Sequence, residues 1–382
     1  MRKNFIDFGI YQTAAEKILH RQAQFLYERD RVAAGGNYYS YFWGLLFVPI
    51  AVIGSLFGTV CGKFSFLLLF YFSYLKLLRF SVLQVLGAKY ENSKKYYLLA
   101  IICMVPTAYL LNDAFMNSNI GLLLTVLLIF AFEFRERFPL VSAALVAAAA
   151  VIKVYPVLIL GYFIWERRSK VVLWSLVFGA FFYVGIPILI EGWALGTQLL
   201  ADHMYVVRHY DKQSGWGYEN FVFQNIPGTL MRYARLMGLS MDSAYRLAIY
   251  GGLGMMFVVH VPTALKNTRR LSEALRQRYF FLSMAFIPLI TPVSWYNMAL
   301  FYMPVIAWVG RRSFFDQHRR SQILFALFFA LYCLTTRDLV GRENNHILQI
   351  YSVQFFGLCL LVGSFAMDLY TDSRAELSPL QE

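Results

Sequence analysis

Long apolar runs with few charges, spaced closely along almost the whole chain, limit the fold more than any other feature of this sequence. They occupy 42 to 62, 64 to 88, 96 to 111, 119 to 134, 138 to 152, 154 to 165, 171 to 190, 246 to 265, 279 to 293, 295 to 310, 321 to 336 and 347 to 367. A helix needs roughly 20 apolar residues to cross about 30 Å of hydrocarbon, and fewer where its flanking residues reach for the surface. Backbone polar groups in lipid must be satisfied within the chain, so these runs predict an all-α, polytopic transmembrane helical bundle. Composition agrees, with 59% hydrophobic and only 15% charged residues in 382. That excludes a soluble multidomain protein, and the 35 Phe and 26 Tyr exclude a disordered chain.

Charge sets the sides. The net charge of +13 reads as basic loops on the cytoplasmic leaflet, with no nucleic-acid partner implied. Lys89, Lys94 and Lys95, then Arg135 and Arg137, then Arg167, Arg168 and Lys170 mark three such loops. Five basic residues in 266 to 278 and four in 311 to 320 mark two more. The loops at 112 to 118, Lys153 to Pro156, 191 to 245, 291 to 297 and 337 to 346 then face outward. Thr291-Pro292-Val293-Ser294-Trp295 breaks the run 279 to 310 into a hairpin. Eleven spans result, forming a bundle over 64 to 367, with an external loop at 191 to 245 and a cytoplasmic tail at 368 to 382.

The segment 1 to 63 admits two readings. Should 42 to 62 span, residues 1 to 41 are cytoplasmic. Should that run, interrupted by Gly44, Pro49, Gly54 and Gly58, lie shallow or re-entrant in the outer leaflet, they form an external arm. An external arm carrying Arg2, Lys3, Lys17, Arg21, Arg29 and Arg31 violates the charge rule unless an earlier span delivers it.

The spans are almost free of carboxylates, and polar residues collect at their outer ends, where buried polar groups mark function. Asp7 opens an amphipathic segment continued by Tyr11, Ala14, Ala15 and Ile18; it fits a first-turn acid favoured by the helix dipole or a general base. Lys153 sits between apolar arms of only 15 and 12 residues, each about 18 to 22 Å long. Arms that short leave the apex below the headgroups, where a lysine needs an anion such as a lipid phosphate, or else snorkels. Asn117 and Asn119 aim two amides at one ligand or serve turn and cap chemistry. The loop from Glu191 to Ala244 gathers Asp202, His203, Arg208, His209, Trp216, Gln224 and Arg232, aromatic and polar residues that suit a sugar or a solvated loop alike. Cys61, Cys103, Cys333 and Cys359 show no disulfide or zinc spacing, and no metal site, nucleotide motif or cofactor is expected.

In order along the chain these stretches resemble the polyprenol-phosphate-mannose-dependent alpha-mannosyltransferases of the C superfamily of membrane glycosyltransferases. Asp7-Phe8-x-x-Tyr11 with Ala14-Ala15 resembles that family's first external loop, and Met116-Asn117-Ser118-Asn119 its Gly-Gln-x-Asn segment. Lys153-Val154-Tyr155-Pro156 resembles its Lys-x-Tyr-Pro feature. Gln224, Gly228 and Arg232 match its Asn-Gln-Ser region, and Pro292-Val293-Ser294-Trp295 its Pro-x-Ser-Trp. Relatives carry Asp and His after that Trp, where this chain has Tyr296, Asn297 and Met298. They also begin with a helix immediately before the acid, which points to a segment upstream of Met1.

The resemblance implies an inverting, metal-independent hexosyltransferase of the bacterial inner membrane with its site facing outward, and makes 1 to 63 an external juxtamembrane arm with a shallow or re-entrant helix at 42 to 62. A polyprenyl-phosphate sugar is the donor, and a glycan or glycolipid in contact with membrane lipids is the acceptor. Asp7 is the implied base, Lys153, Arg208, His209 and Arg232 hold the donor phosphate, and Tyr11, Asn117, Asn119, Tyr155, Gln224 and Trp295 hold the sugar. A transporter or flippase of lipid-linked saccharides, or a glycan polymerase, remains the competing reading.

Overall fold

A computed structural model of the chain describes residues 6–27, 39–213, 223–238, 271–291 and 296–377, with single positions at 240, 246, 250, 251 and 254. The described residues are helical and contain no strand. Among the described residues, three helices are long and apolar enough to cross a bilayer: Thr59–Leu86, Ser169–Glu191 and Val353–Ser373. The 23 residues of Ser169–Glu191 extend about 34 Å and turn Leu173, Trp174, Leu176, Phe181 and Leu189 outward. An apolar surface of that extent belongs against lipid. Shorter apolar helices cover Tyr41–Phe57, Gly121–Phe134, Pro139–Ile152 and Tyr155–Trp165.

The chain divides into two compact units. The first comprises Met1–Tyr74, Asp113–Leu160 and Arg168–Gly217. Its N-terminal helix, Ile6–Leu19, packs on Tyr41–Phe57. The seat is Gly44, where an added Cβ would come within 2.8 Å of Ile18 Cδ1 and 3.6 Å of Ala14 Cβ. The small Ala14 and the missing side chain of Gly44 thus let the two backbones approach, as small residues do between membrane helices. Gly44, Pro49 and Gly54 do not interrupt this second helix; it runs through all three and stops at Gly58, whose φ of 91° only glycine adopts freely. Gly54 instead meets Gly62 of the next helix, where a Cβ would lie 3.1 Å from Gly54 Cα.

The second unit comprises Leu75–Asn112, Gly161–Arg167 and Tyr218–Glu382. Its centre is Glu273–Ile290, buried on every side from Tyr279 to Ile290, as expected of a helix apolar all round. Tyr162, Trp165, Tyr279 and Phe280 stack against one another beside it. Arg278 pairs with Asp372, and Tyr279 and Ser373 share a 2.9 Å hydrogen bond, fixing this helix to Val353–Leu377. That last helix continues to Leu377 through part of the expected tail.

Several expected boundaries shift. The run 347 to 367 breaks at Ser352, whose φ of 57° separates Arg342–Ile350 from Val353–Leu377. The run 295 to 310 begins with a 3-10 segment, Tyr296–Tyr302, before the α-helix Met303–Phe314. The long loop 191 to 245 holds helices Trp193–Gln213 and Ile226–Leu236. Most of 246 to 265, and Pro292 to Trp295, lie outside the described residues.

Candidate functional site

Asp7 and Tyr11 stand one turn apart on Ile6–Leu19 and therefore share a face. Tyr11 is fully buried, its ring set edge-on to Tyr39, Trp43 and Phe47 at 4.9, 5.2 and 5.4 Å between centroids. Its hydroxyl donates to the Tyr39 hydroxyl at 3.0 Å, and that hydroxyl donates to Asp7 Oδ2 at 3.3 Å. The Tyr11 oxygen also lies 3.4 Å from the same carboxylate oxygen. Tyr39 is held in turn. The Tyr27 hydroxyl donates to its carbonyl at 3.0 Å, and Ser40, the next residue, caps the following helix by accepting from the Trp43 N–H.

Lys153, in the same unit, reaches this group from the end of a different helix. The alanine-rich helix Pro139–Ile152 ends where Lys153 takes extended backbone angles, and Pro156 opens the 3-10 turn Tyr155–Ile159. The Lys153 Nζ sits 5.5 Å from the centroid of Tyr39 and 5.9 Å from that of Tyr155. Burial pulls the ammonium down to about 8, and the Asp7 carboxylate opposes that shift. An anion arriving here would meet a cation short of solvent. Beside this apex lies an apolar cavity of about 200 Å³ lined by Val146, Ala147, Ala150, Val157, Leu160 and Gly179.

The other expected residues are placed differently. Asn119 is buried and accepts the Gly121 N–H at 3.0 Å, starting the helix Gly121–Phe134, while Asn117 is half-buried at the end of Lys94–Asn117. Arg208 is exposed on Trp193–Gln213, and His209 lies on the same helix with its side chain outside the description. Gln224 and Arg232 belong to the second unit. Gln224 Nε2 donates to the Gln349 carbonyl at 3.0 Å, and its oxygen accepts the Phe355 N–H at 3.2 Å. The Arg232 guanidinium donates to Ser352 Oγ at 2.7 Å, the Phe223 carbonyl at 3.0 Å and Thr229 Oγ1 at 3.2 Å. Trp295 falls outside the described residues.

Tyr39 is the site residue that sequence reasoning missed. Its signal was the aromatic run Tyr38-Tyr39-Ser40-Tyr41 before an apolar helix, which reads equally as an interfacial belt.

Apolar helices that close around a carboxylate, two phenols and a half-buried lysine define an integral membrane protein with a candidate polar site. The chain matches glycosyltransferase family 87 over residues 37–292, about two thirds of its length, and belongs to that family. It is a membrane glycosyltransferase, using a sugar donor and a glycan acceptor. Tyr39, Lys153 and Tyr155 lie within the matched span; Asp7 and Tyr11 precede it, and Trp295 follows it. Comparisons with curated proteins and with solved structures give no match.

Proposed function

We propose that this glycosyltransferase moves a hexose, most simply mannose, from a polyprenyl-phosphate donor to a lipid-linked or envelope glycan at the outer face of a bacterial cytoplasmic membrane. The observation that carries this reading is the pairing of Asp7 and Lys153 across Tyr39, an acid and a cation facing one small aromatic site.

In this scheme Asp7 takes the proton of an acceptor hydroxyl as that oxygen attacks the anomeric carbon. The bond from that carbon to the phosphate oxygen breaks on the opposite face, and polyprenyl phosphate leaves with the bonding electrons, so configuration inverts. Lys153 stabilises the negative charge that builds on the departing phosphate, a task a fixed cation performs without a metal ion. The Tyr11 and Tyr39 hydroxyls orient the carboxylate. The apolar cavity next to Lys153 suits the first isoprene units of the tail, and Tyr155, beside Lys153, and the asparagine pair are the candidates for sugar contact. Gln224 and Arg232 make their hydrogen bonds within their own unit.

The test is transfer in membranes supplied with polyprenyl-phosphate sugars. Asp7→Asn should lower transfer by roughly 10²- to 10⁴-fold while donor binding persists. Lys153→Ala should weaken donor binding. A transporter of the same lipid would tolerate Asp7→Asn, and wild-type rates in both variants would remove the assignment.

A further inference from the structure

A second cavity, of about 530 Å³, lies in the second unit and shares no residue with the site above. That volume falls within the roughly 300 to 1,000 Å³ of small-ligand sites. Three helices wall it. Lys94–Asn117 contributes Ile102 and Pro106, Met303–Phe314 contributes Phe314, and Arg319–Phe328 with the turn after it contributes Gln322, Phe325 and Phe329. Gly310 admits the first wall, since a Cβ there would sit 2.8 Å from Ile102 Cγ2. Ile101, Val105 and Phe314 are more than half exposed, so the groove opens at the protein surface. Its few polar atoms turn inward. Gln322 Nε2 donates to the Ser313 carbonyl at 3.0 Å and Ser313 Oγ to the Val309 carbonyl at 2.7 Å, leaving an apolar lining.

Both long walls begin at exposed basic residues. Lys94 and Lys95 precede Ile101 and Ile102 by seven residues, two turns on the same face, and Arg319 precedes Gln322 by three. None of the three forms an ion pair among the described residues. Their loops, 89 to 95 and 311 to 320, are those the charge rule assigns to the cytoplasmic leaflet, which is rich in anionic lipid. An apolar trough headed by cations without a carboxylate partner among the described residues matches a ligand with a hydrocarbon chain and a negative head.

We infer that this groove binds an anionic phospholipid of the cytoplasmic leaflet, its acyl chain between Ile102 and Phe325 and its phosphate at Lys94, Lys95 and Arg319. The lipid fills a gap that would otherwise cost contacts among three helices, and so couples the helices to the charge of the surrounding membrane. The transferase reading does not depend on it.

The experiment is native mass spectrometry of the full chain released from nanodiscs of mixed phosphatidylglycerol and phosphatidylcholine. Wild type should retain one phosphatidylglycerol with a preference of about tenfold or more, given three cations near a phosphate. Lys94→Ala, Lys95→Ala and Arg319→Ala combined should abolish the preference. Ala326 also lines the groove, and Ala326→Trp, which would fill it, should abolish retention of either lipid. Equal retention of both lipids by wild type, or a preference that survives the triple variant, would overturn the inference. So would exchange of the bound lipid for polyprenyl phosphate at equal concentration, which would give the groove to the donor. A lipid-free dimer would give it to a second copy of the chain.

Discussion

The Lys153 ammonium stands 5.5 Å from the centre of the Tyr39 ring, and the hydroxyl of that ring donates to Asp7. One side chain therefore touches both charged members of the site. Its ring face stabilises the cation and its hydroxyl orients the carboxylate, so the two effects are separable by mutation. Tyr39→Phe keeps the face and deletes the hydroxyl; transfer should fall about 5- to 10-fold, the worth of one hydrogen bond, with donor affinity unchanged. Tyr39→Ala removes both and should weaken donor binding too. Rate and affinity measured on the two variants check this, and a loss of affinity in Tyr39→Phe would contradict the division of labour.

Donor binding should depend on pH through Lys153. Burial disfavours the charge of the ammonium more than Asp7 restores it and brings its pKa down to about 8. Below that pH the lysine is charged before and after a phosphate binds, and affinity is flat. Above it the free lysine is neutral, and binding an anion requires uptake of a proton. The donor dissociation constant should then rise by up to about tenfold per pH unit. Lys153→Arg stays charged throughout this range, so its profile should remain level above pH 8. Titration calorimetry of donor binding to both proteins between pH 6.5 and 9.5 measures the difference. A wild-type curve without a bend would show that Lys153 does not meet the phosphate.

Arg232 and Gly228 should govern stability instead of donor recognition. The Arg232 guanidinium divides its hydrogen bonds among Ser352, Phe223 and Thr229, and a Cβ on Gly228 would come within 2.6 Å of the Phe223 carbonyl that Arg232 also uses. That carbonyl is backbone and cannot easily move. Gly228→Ala should cost about 1 to 3 kcal/mol, as overpacking does, and Arg232→Lys a similar amount through lost hydrogen bonds. Thermal unfolding should report both losses while donor affinity stays at the wild-type value. Weaker donor binding in Arg232→Lys at unchanged stability would return this arginine to the site.

What the sequence made legible was local. Asp7 and Tyr11 share a face because four residues separate them, and the break at Lys153 was readable because two short apolar runs flank it, seen as the helices Pro139–Ile152 and Tyr155–Trp165. The glycines at 44 and 54 were misread as interruptions. In water a helix glycine costs stability, but between membrane helices it buries against a neighbour, here Ile18 and Gly62. Tyr39 was not legible, because its bonds to Asp7 and Tyr11 bridge about 30 residues of intervening chain and depend on how the first two helices pack. Nor was the tie of Arg232 to Ser352, 120 residues away, or the left-handed Ser352 that divides the last apolar run. Periodicity reports which face of a helix is apolar; it carries no record of which helix that face meets.

The seat of the first helix offers a test that leaves every polar residue of the site in place. Asp7 reaches Tyr39 only while Ile6–Leu19 lies close against Tyr41–Phe57, and Gly44 permits that approach. Gly44→Ala meets the end of the flexible Ile18 side chain at 2.8 Å, and a rotation of Ile18 should absorb most of the strain. Gly44→Leu has no such outlet and should lever the first helix outward, carrying Asp7 with it. Lys153 stands on a separate hairpin and keeps its place. Transfer should therefore fall about 100-fold, the cost of displacing a reacting group by an ångström or so, while donor affinity changes little. Small-residue replacement at Ile18 in the Gly44→Leu background should restore activity by reopening the space. An equal loss of donor affinity in Gly44→Leu would mean that the lysine depends on the first helix for its position, and that the two halves of the site move as one.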